Sequence, residues 1–326
     1  AAGAHGARAL RELADADSTT LIDTMMQRLL EVSGDAMQRW IETLGAAPMR
    51  FTDCLDDGTK IAVEIKRNAD QLHVAFDTGP VHPYGFNATP AIVTAAVLYV
   101  LRCVCGSNLP LCDGVLRNVT ISIPPGLLDP PANEDPRQCA AVVAGNVETS
   151  QRIVDVLLGA LNVAAASQGT MNNVLIGDDT FGYYETIGGG SGATSGQAGA
   201  DAVHTHMTNT RITDPEVLET RLPLRLHRFE VRRDSGGEGQ LRGGNGIVRE
   251  FEFLKPLVVS LITSRRTKPP YGASGGNPGR CGENLLVHQC VRRELPPTGT
   301  MEVQTGDRLI VRTPGGGGWG NQSRDG

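Results

Sequence analysis

The sequence predicts an α+β protein, with helices and sheets mixed in its first half and a β-rich, glycine-rich second half. Three features predict this. Apolar residues recur at three- and four-residue spacings in several segments before Asn162, the signature of helices with one buried stripe. The period changes to two from Arg50 and again beyond Leu224, as in half-buried strands. The glycines, 40 in all, are concentrated between Gly182 and Gly246 and again in the tail, where they break up any helical pattern. The division falls at residues 1–175, a mixed α/β part, and 176–326, a Gly-rich, β-rich part; the two can also form one continuous domain. With 326 residues, 40% of them apolar, the chain is long enough to bury a substantial core.

In chain order, Ser18 to Leu30 reads as a helix behind a Ser/Thr start, with Leu21, Ile22, Met25, Met26, Leu29 and Leu30 as a core stripe. Gly34 is expected to interrupt it, and Ala36 to Leu44 to form the second arm of a helical hairpin. Lys60 to Lys66 and Gln71 to Asp77 alternate as strands, joined by a turn at Asn68-Ala69-Asp70. Pro90 to Cys105 is almost wholly apolar, with Pro at a helix start and Arg102 inside. At about 16 residues it falls short of the roughly 20 needed to cross a bilayer, so a buried helix is expected.

Asn118 to Pro124 is strand-like, and Gly126 to Gln138 is a Pro-rich loop and a candidate flexible excursion. Gly145 to Arg152 leads into the helical stripe of Ile153, Val156, Leu157, Ala160 and Leu161. Asn146, Thr149 and Ser150 are placed to cap that helix or to meet a ligand at its N-terminus. Ser167 to Asn173 is a small, amide-rich loop. Thr213-Asp214-Pro215-Glu216 starts a short helix, with Asp214 as its cap rather than a general base. Beyond it, Arg225 to Arg232, Gly246 to Leu254, Pro256 to Thr263, Gly282 to His288 and Met301 to Arg312 read as strands.

Several function classes drop out. A formal net charge of −6 with scattered Lys and Arg argues against a nucleic-acid surface. No apolar run reaches about 18 residues, so no membrane span is expected. The seven cysteines form no CxxC pair, which points to a reduced, cytoplasmic thiol set; Cys103 and Cys105, in apolar surroundings, are expected to be buried. Gly188 to Ala193 lacks the Lys-Ser/Thr of a phosphate loop, and Gly236 to Gly246 precedes a strand rather than a helix. Ser191 lacks the strand-turn-helix setting of a nucleophile elbow. The chain begins at Ala1 without Met, as if cut from something longer.

The chemistry concentrates between Gly182 and Gly246, where His204, His206, Asn209, Arg211 and Asp214 follow the flexible loop Gly188 to Gly192. If Ala202 to Met207 is a strand, His204 and His206 share one face about 7 Å apart. Such a pair can flank a substrate or begin a metal site. The alternative is a polar strand whose histidines bond to loop carbonyls. A metal needs three or four ligands, and no Cys or Glu nearby completes the set.

The segments YYETIGGGSGA, HTHMTNTRITDPEVLE, RRDSGGEGQLRGGNGIVRE, GNVETSQR, ASQGTMNN and TPGGGGWG together resemble the hydantoinase B/5-oxoprolinase family, whose relatives include the α subunit of acetone carboxylase. The resemblance implies ATP-dependent opening of five-membered lactam or imide rings. A hydantoinase A-like partner phosphorylates the carbonyl oxygen, and the B-like part completes ring opening with a metal-activated water. It implies His204, His206, Glu185 and Glu148 as candidate catalytic groups, and Asn209, Arg211, Asn146, Gly189 and Gly190 as candidate substrate contacts.

The family's N-terminal segment with its GGTH-type motif has no match here. The chain therefore corresponds to roughly the C-terminal three-fifths of a hydantoinase B-like polypeptide, with that segment as its missing partner. The ligands of a divalent metal (Mn, Zn or Fe) are expected in it, with His204 and His206 as the only candidates in this chain, and ATP/Mg on the hydantoinase A-like subunit of a hetero-oligomer. The alternatives are a non-catalytic subunit docking on such a partner, and a carboxylase component.

Overall fold

A computed structural model describes residues 2–106, 109–208 and 210–321. Its first half opens with helices α1 (Ala2–Ala16) and α2 (Thr19–Thr43), and the Ser18 hydroxyl caps α2 by accepting the Leu21 N–H. The expected break at Gly34 does not occur. One glycine inside a helix costs only about 1 kcal/mol, and its place here is steric: a Cβ would lie 2.6 Å from Arg117 Cζ. Arg117 crosses the helix there and donates to Asp35. The stripe expected in the core is also corrected in part. Leu21, Met25, Met26 and Leu29 are exposed, as are Leu10 and Leu13 of α1, because the first core begins only at Met37 and Ile41.

Strands β1 (Met49–Cys54), β2 (Lys60–Asn68) and β3 (Gln71–Thr78) form an antiparallel meander. β3 then pairs in parallel with β4 (Val119–Ser122), and such a pairing needs a crossover, which contains α3 (Pro90–Val104). Helix α4 (Ser150–Ala160) packs against α3, β1 and β2. Ile61, Val63, Ile65, Leu72, Val93, Val97, Ile153 and Val156 fill this core.

The second half is antiparallel throughout. One sheet joins β5 (Asn173–Asp178), β6 (Phe181–Glu185), β9 (Leu257–Ile262) and β12 (Thr298–Val303) in the order β12-β9-β5-β6. The other joins β7 (Leu224–Arg232), β8 (Gly246–Phe253), β10 (Glu283–His288), β11 (Val291–Glu294) and β13 (Arg308–Arg312) in the order β11-β10-β13-β8-β7. Val174, Ile176, Phe251, Phe253, Val259 and Leu309 form the core between them. Helix α5 (Pro215–Arg221) is capped by Asp214, which accepts the Glu216 N–H at 3.1 Å, as the sequence indicates. The run from Met301 to Arg312 is two strands, not one: β12 and β13 lie in different sheets, and the chain turns where Asp307 accepts the Gln304 N–H.

The glycine-rich loops are buried rather than flexible. Gly316 donates to the Gly244 carbonyl, Gly244 to Ser191 and Gly190 to Pro314, so backbones from three distant segments lie directly on one another. A Cβ on Gly190 would come within 1.9 Å of the Gly244 oxygen. Glycine is used here for close approach, which no other residue permits. The seven cysteines are all free, and Cys103 is exposed and Cys105 half-buried, because both lie on the outer side of α3. No helix among the described residues is long and apolar enough to cross a membrane.

Candidate functional site

Helix α4 sits between the two cores, and its polar residues are as buried as its apolar ones. A π turn, Gly145–Thr149, leads into it. No side chain caps the helix. Thr149 donates instead to the Phe86 carbonyl and Ser150 to Asn146, while the Asn146 side chain is exposed. Glu148, Gln151, Arg152 and Asp155 follow at three-, one- and three-residue steps, which places them along one side of the turn and helix.

Opposite them lies Thr263 to Arg266, just beyond β9. Ser264 donates to Glu148 Oε2 at 2.7 Å. The Arg265 guanidinium meets Asp155 at 2.9 Å and Asp53 at 2.7 Å. Arg266 donates to Asn172 and Asn284. Arg152, fully buried, donates to the Cys54 carbonyl and approaches Asp53 at 3.4 Å. Two arginines thus neutralise two carboxylates away from water, the condition under which buried charge is tolerated. Burial raises the Asp53 pKa, but the charges of Arg265 and Arg152 outweigh it and hold the group below the usual carboxylate value.

The HTHMT segment closes over this seam and is not a strand. His206 has φ +55, so His204 and His206 do not share a strand face. Instead His206 turns inward: Nε2 is 3.4 Å from Asp155 Oδ1, the ring stands edge-on to Tyr99 at 5.9 Å, and Nδ1 is 3.5 Å from the Tyr99 hydroxyl. Gln151 anchors the segment by donating to the Thr205 carbonyl and the Thr208 hydroxyl. Half-buried His204 is held below the ordinary imidazole pKa by desolvation, so it is neutral at neutral pH.

His206, Asn172 and Arg265 all adopt left-handed backbone, with φ between +48 and +60. Strain of this kind persists only where surrounding packing imposes it, and it concentrates at sites. In the same seam His204 Nδ1, His206 Nε2, Thr205 Oγ1, Gln151 Oε1, Arg152 Nε and Arg265 Nε are buried without a hydrogen-bond partner. Each such atom costs about 1–3 kcal/mol unless water or a ligand meets it.

Glu148 lies at the other end of the seam. It accepts from the Thr170 hydroxyl, the Met171 N–H and Ser264. Burial raises its pKa to about 7 against the opposing pull of those hydrogen bonds. Glu185 is placed differently. Both its oxygens bind Arg249, at 2.7 and 2.9 Å, and it also accepts from Tyr183 and from the Thr213 N–H. It is the anchor of a buried ion pair. The Gly189 and Gly190 amides donate to Val203 and Pro314. Arg211 is exposed, and Asn209 lies outside the described residues.

A divalent metal does not fit the seam. Asp155 and Asp53 already face two fixed guanidinium groups, and among the described residues no three His, Cys, Asp or Glu are grouped to hold a cation. Asp53, Gln151, Arg152, Asp155, Ser264 and Arg265 were not singled out by their sequence pattern. Two charges inside the apolar stripe of α4, and the polar run Thr263 to Thr267 directly after an apolar strand, are the signals that point to them.

Comparison with known proteins accords with this architecture. The chain is 48% identical over 273 residues to 5-oxoprolinase 1 of Arabidopsis thaliana, covering 82% of this chain and 21% of that one. It spans about a fifth of the length of that relative. Its fold matches the ATP-dependent caprolactamase of Pseudomonas jessenii with a TM-score of 0.84 at 22% identity, over 98% of this chain and 59% of that one. It also matches nucleotide-free acetone carboxylase, with a TM-score of 0.82 at 14% identity over 95% of this chain and 50% of that one. Residues 1–322 match the model of the Hydantoinase B/oxoprolinase family, and the chain belongs to that family.

Proposed function

We propose that this chain is part of an ATP-dependent hydrolase that opens the C–N bond of a small cyclic amide, of the 5-oxoprolinase or hydantoinase type. One observation carries the reading above the others: His206, in strained backbone, holds an unpartnered Nε2 3.4 Å from a fully buried Asp155. The family membership and the relatives named 5-oxoprolinase 1 and ATP-dependent caprolactamase support it. The carboxylase alternative rests on fold alone, at 14% identity.

The chemistry is consistent with that arrangement. An unstrained lactam is a poor electrophile, and transfer of a phosphoryl group from ATP to its carbonyl oxygen, on a hydantoinase A-like partner, lowers the barrier to attack by water. In this chain His206, oriented by Asp155, accepts the proton of the attacking water, and neutral His204 serves as a further acceptor. Asn209 and Arg211, on the same segment, contact the substrate carbonyl or carboxylate, and Arg offers a bidentate fork. Asn146 and the Gly189-Gly190 turn bound the substrate from either side. We place the ligands of a divalent metal outside this chain. The exposed apolar stripe of Leu10, Leu13, Leu21, Met25, Met26 and Leu29 supports a hetero-oligomer, since such a surface suits burial against a partner. Seven free cysteines accord with the cytoplasm.

The test is His206→Ala in the complete enzyme, with ATP-dependent ring opening of 5-oxoproline and hydantoin as the readout. Loss of a positioned acid-base group lowers kcat by about 100- to 10,000-fold. An unchanged kcat would refute the assignment.

A further inference from the structure

One cleft takes no part in the seam's ion pairs. It opens between the two halves, encloses about 330 Å3, and is lined by Leu55, Asp57, His82, Phe86, Ser264 and Pro297 among others. That volume lies within the range of roughly 300–1,000 Å3 typical of small-molecule sites.

The polar groups facing it accept hydrogen bonds. His82 Nδ1 accepts the Tyr84 N–H at 3.0 Å, so the ring proton is assigned to Nε2, which donates to Asp57 Oδ2 at 2.8 Å. Asp57 Oδ1 accepts the Thr59 N–H at 2.9 Å, and the carboxylate, half exposed, keeps further lone pairs. Ser264 gives its proton to Glu148 and keeps its own lone pairs. The Thr267 hydroxyl donates to Asp56, whose carboxylate also accepts the Arg266, Thr267 and Lys268 N–H groups. The Arg266 guanidinium is held behind the wall by Asn172 and Asn284. The aromatic rings sit together, with His82 5.2 Å from Phe86 and 5.7 Å from Tyr84.

We propose that this cleft is a recognition site for a small primary ammonium group carried on a short apolar body. An ammonium has three donors and no acceptor, the complement of Asp57 and Ser264. The faces of Phe86 and Tyr84 attract a cation, and Leu55 and Pro297 cover its apolar stem. An anion would meet Asp56, Asp57 and Glu148. Burial raises the Asp57 pKa, but its bonds to Thr59 and His82 outweigh that and keep the carboxylate ionised at neutral pH.

The source of the amine rests on the hydrolase reading above. Ring opening breaks the C–N bond, puts the water oxygen on the carbonyl carbon, and frees an amine that takes a proton. The amino acid so formed carries the group this cleft binds.

The experiment is titration of the chain with n-butylammonium, and in parallel with n-butanol and 2-pyrrolidinone, followed by NMR chemical shifts. Saturable binding of the ammonium is expected, at least about tenfold tighter than either neutral molecule, as a charge-assisted contact requires. Asp57→Asn weakens it by about tenfold or more, and Ser264→Ala by a few-fold, with the far-UV spectrum unchanged. Equal binding of n-butanol, or affinity unaltered by both substitutions, overturns the proposal. In the complete enzyme, competitive inhibition by 4-aminobutyrate that Asp57→Asn relieves supports the amine's origin. Intact n-butylammonium binding without any cyclic-amide hydrolysis would sink the hydrolase reading and leave the ammonium site standing.

Discussion

Replacing Glu148 by Gln probes the seam most directly. The side chain is fully buried, with Thr170, Met171 and Ser264 around it and the Arg266 charge behind, and burial raises its pKa to about 7 from the ordinary 4.5. A folded-state pKa above the unfolded one means that the native protein prefers the neutral acid. The stability this confers is complete below about pH 4.5 and is lost as pH rises through about 7. At about 1.36 kcal/mol per decade of acidity, the total loss is roughly 3.4 kcal/mol. About 2.5 kcal/mol of it falls between about pH 5 and pH 8.

Gln has the shape of the neutral acid and does not titrate. It still accepts from Thr170 and Met171 through its oxygen, and its amide donates to Ser264. Urea unfolding at a series of pH values in that interval should show Glu148→Gln nearly matching the parent at the acid end. At the alkaline end it should exceed the parent by about 2–3 kcal/mol. A difference independent of pH would refute the reasoning, because it would mean that Glu148 titrates near its ordinary value in a solvated seam.

Two further substitutions separate structural from chemical roles. Glu185→Gln leaves the fully buried Arg249 without its counter-charge, so a loss of about 3–5 kcal/mol in unfolding free energy is expected; unchanged stability would return Glu185 to the candidate acids. Gly190→Ala forces a Cβ within 1.9 Å of the Gly244 oxygen and should destabilise by the upper part of roughly 1–3 kcal/mol or more. A melting temperature equal to the parent's would show that the glycine loops part easily.

Much of the fold was legible in the sequence because periodicity is local. The alternation in Lys60 to Lys66 and Gln71 to Asp77, the apolar run after Pro90 and the Asp214-Pro215 cap each encode their element within a few residues, and the structure forms them there. The motifs from Gly145 to Gly320 likewise marked the family. Gly34 misled because its meaning depends on Arg117, a residue 83 positions away. The glycine loops misled for the same reason: their function is contact with one another, which composition does not encode.

The candidate site belongs to the tertiary structure. Asp53, Asp155, His206 and Arg265 come from four separate segments, and no spacing in the chain relates them. The sequence supplied His206 as a capable side chain and placed it on a strand. The packed fold instead holds its backbone at φ +55 and turns its imidazole towards Asp155. Residue type and local period determine which elements form and which groups are available. The direction a side chain takes from a strained turn is set by the cores that close around it, because only their combined packing holds a conformation that local preference disfavours.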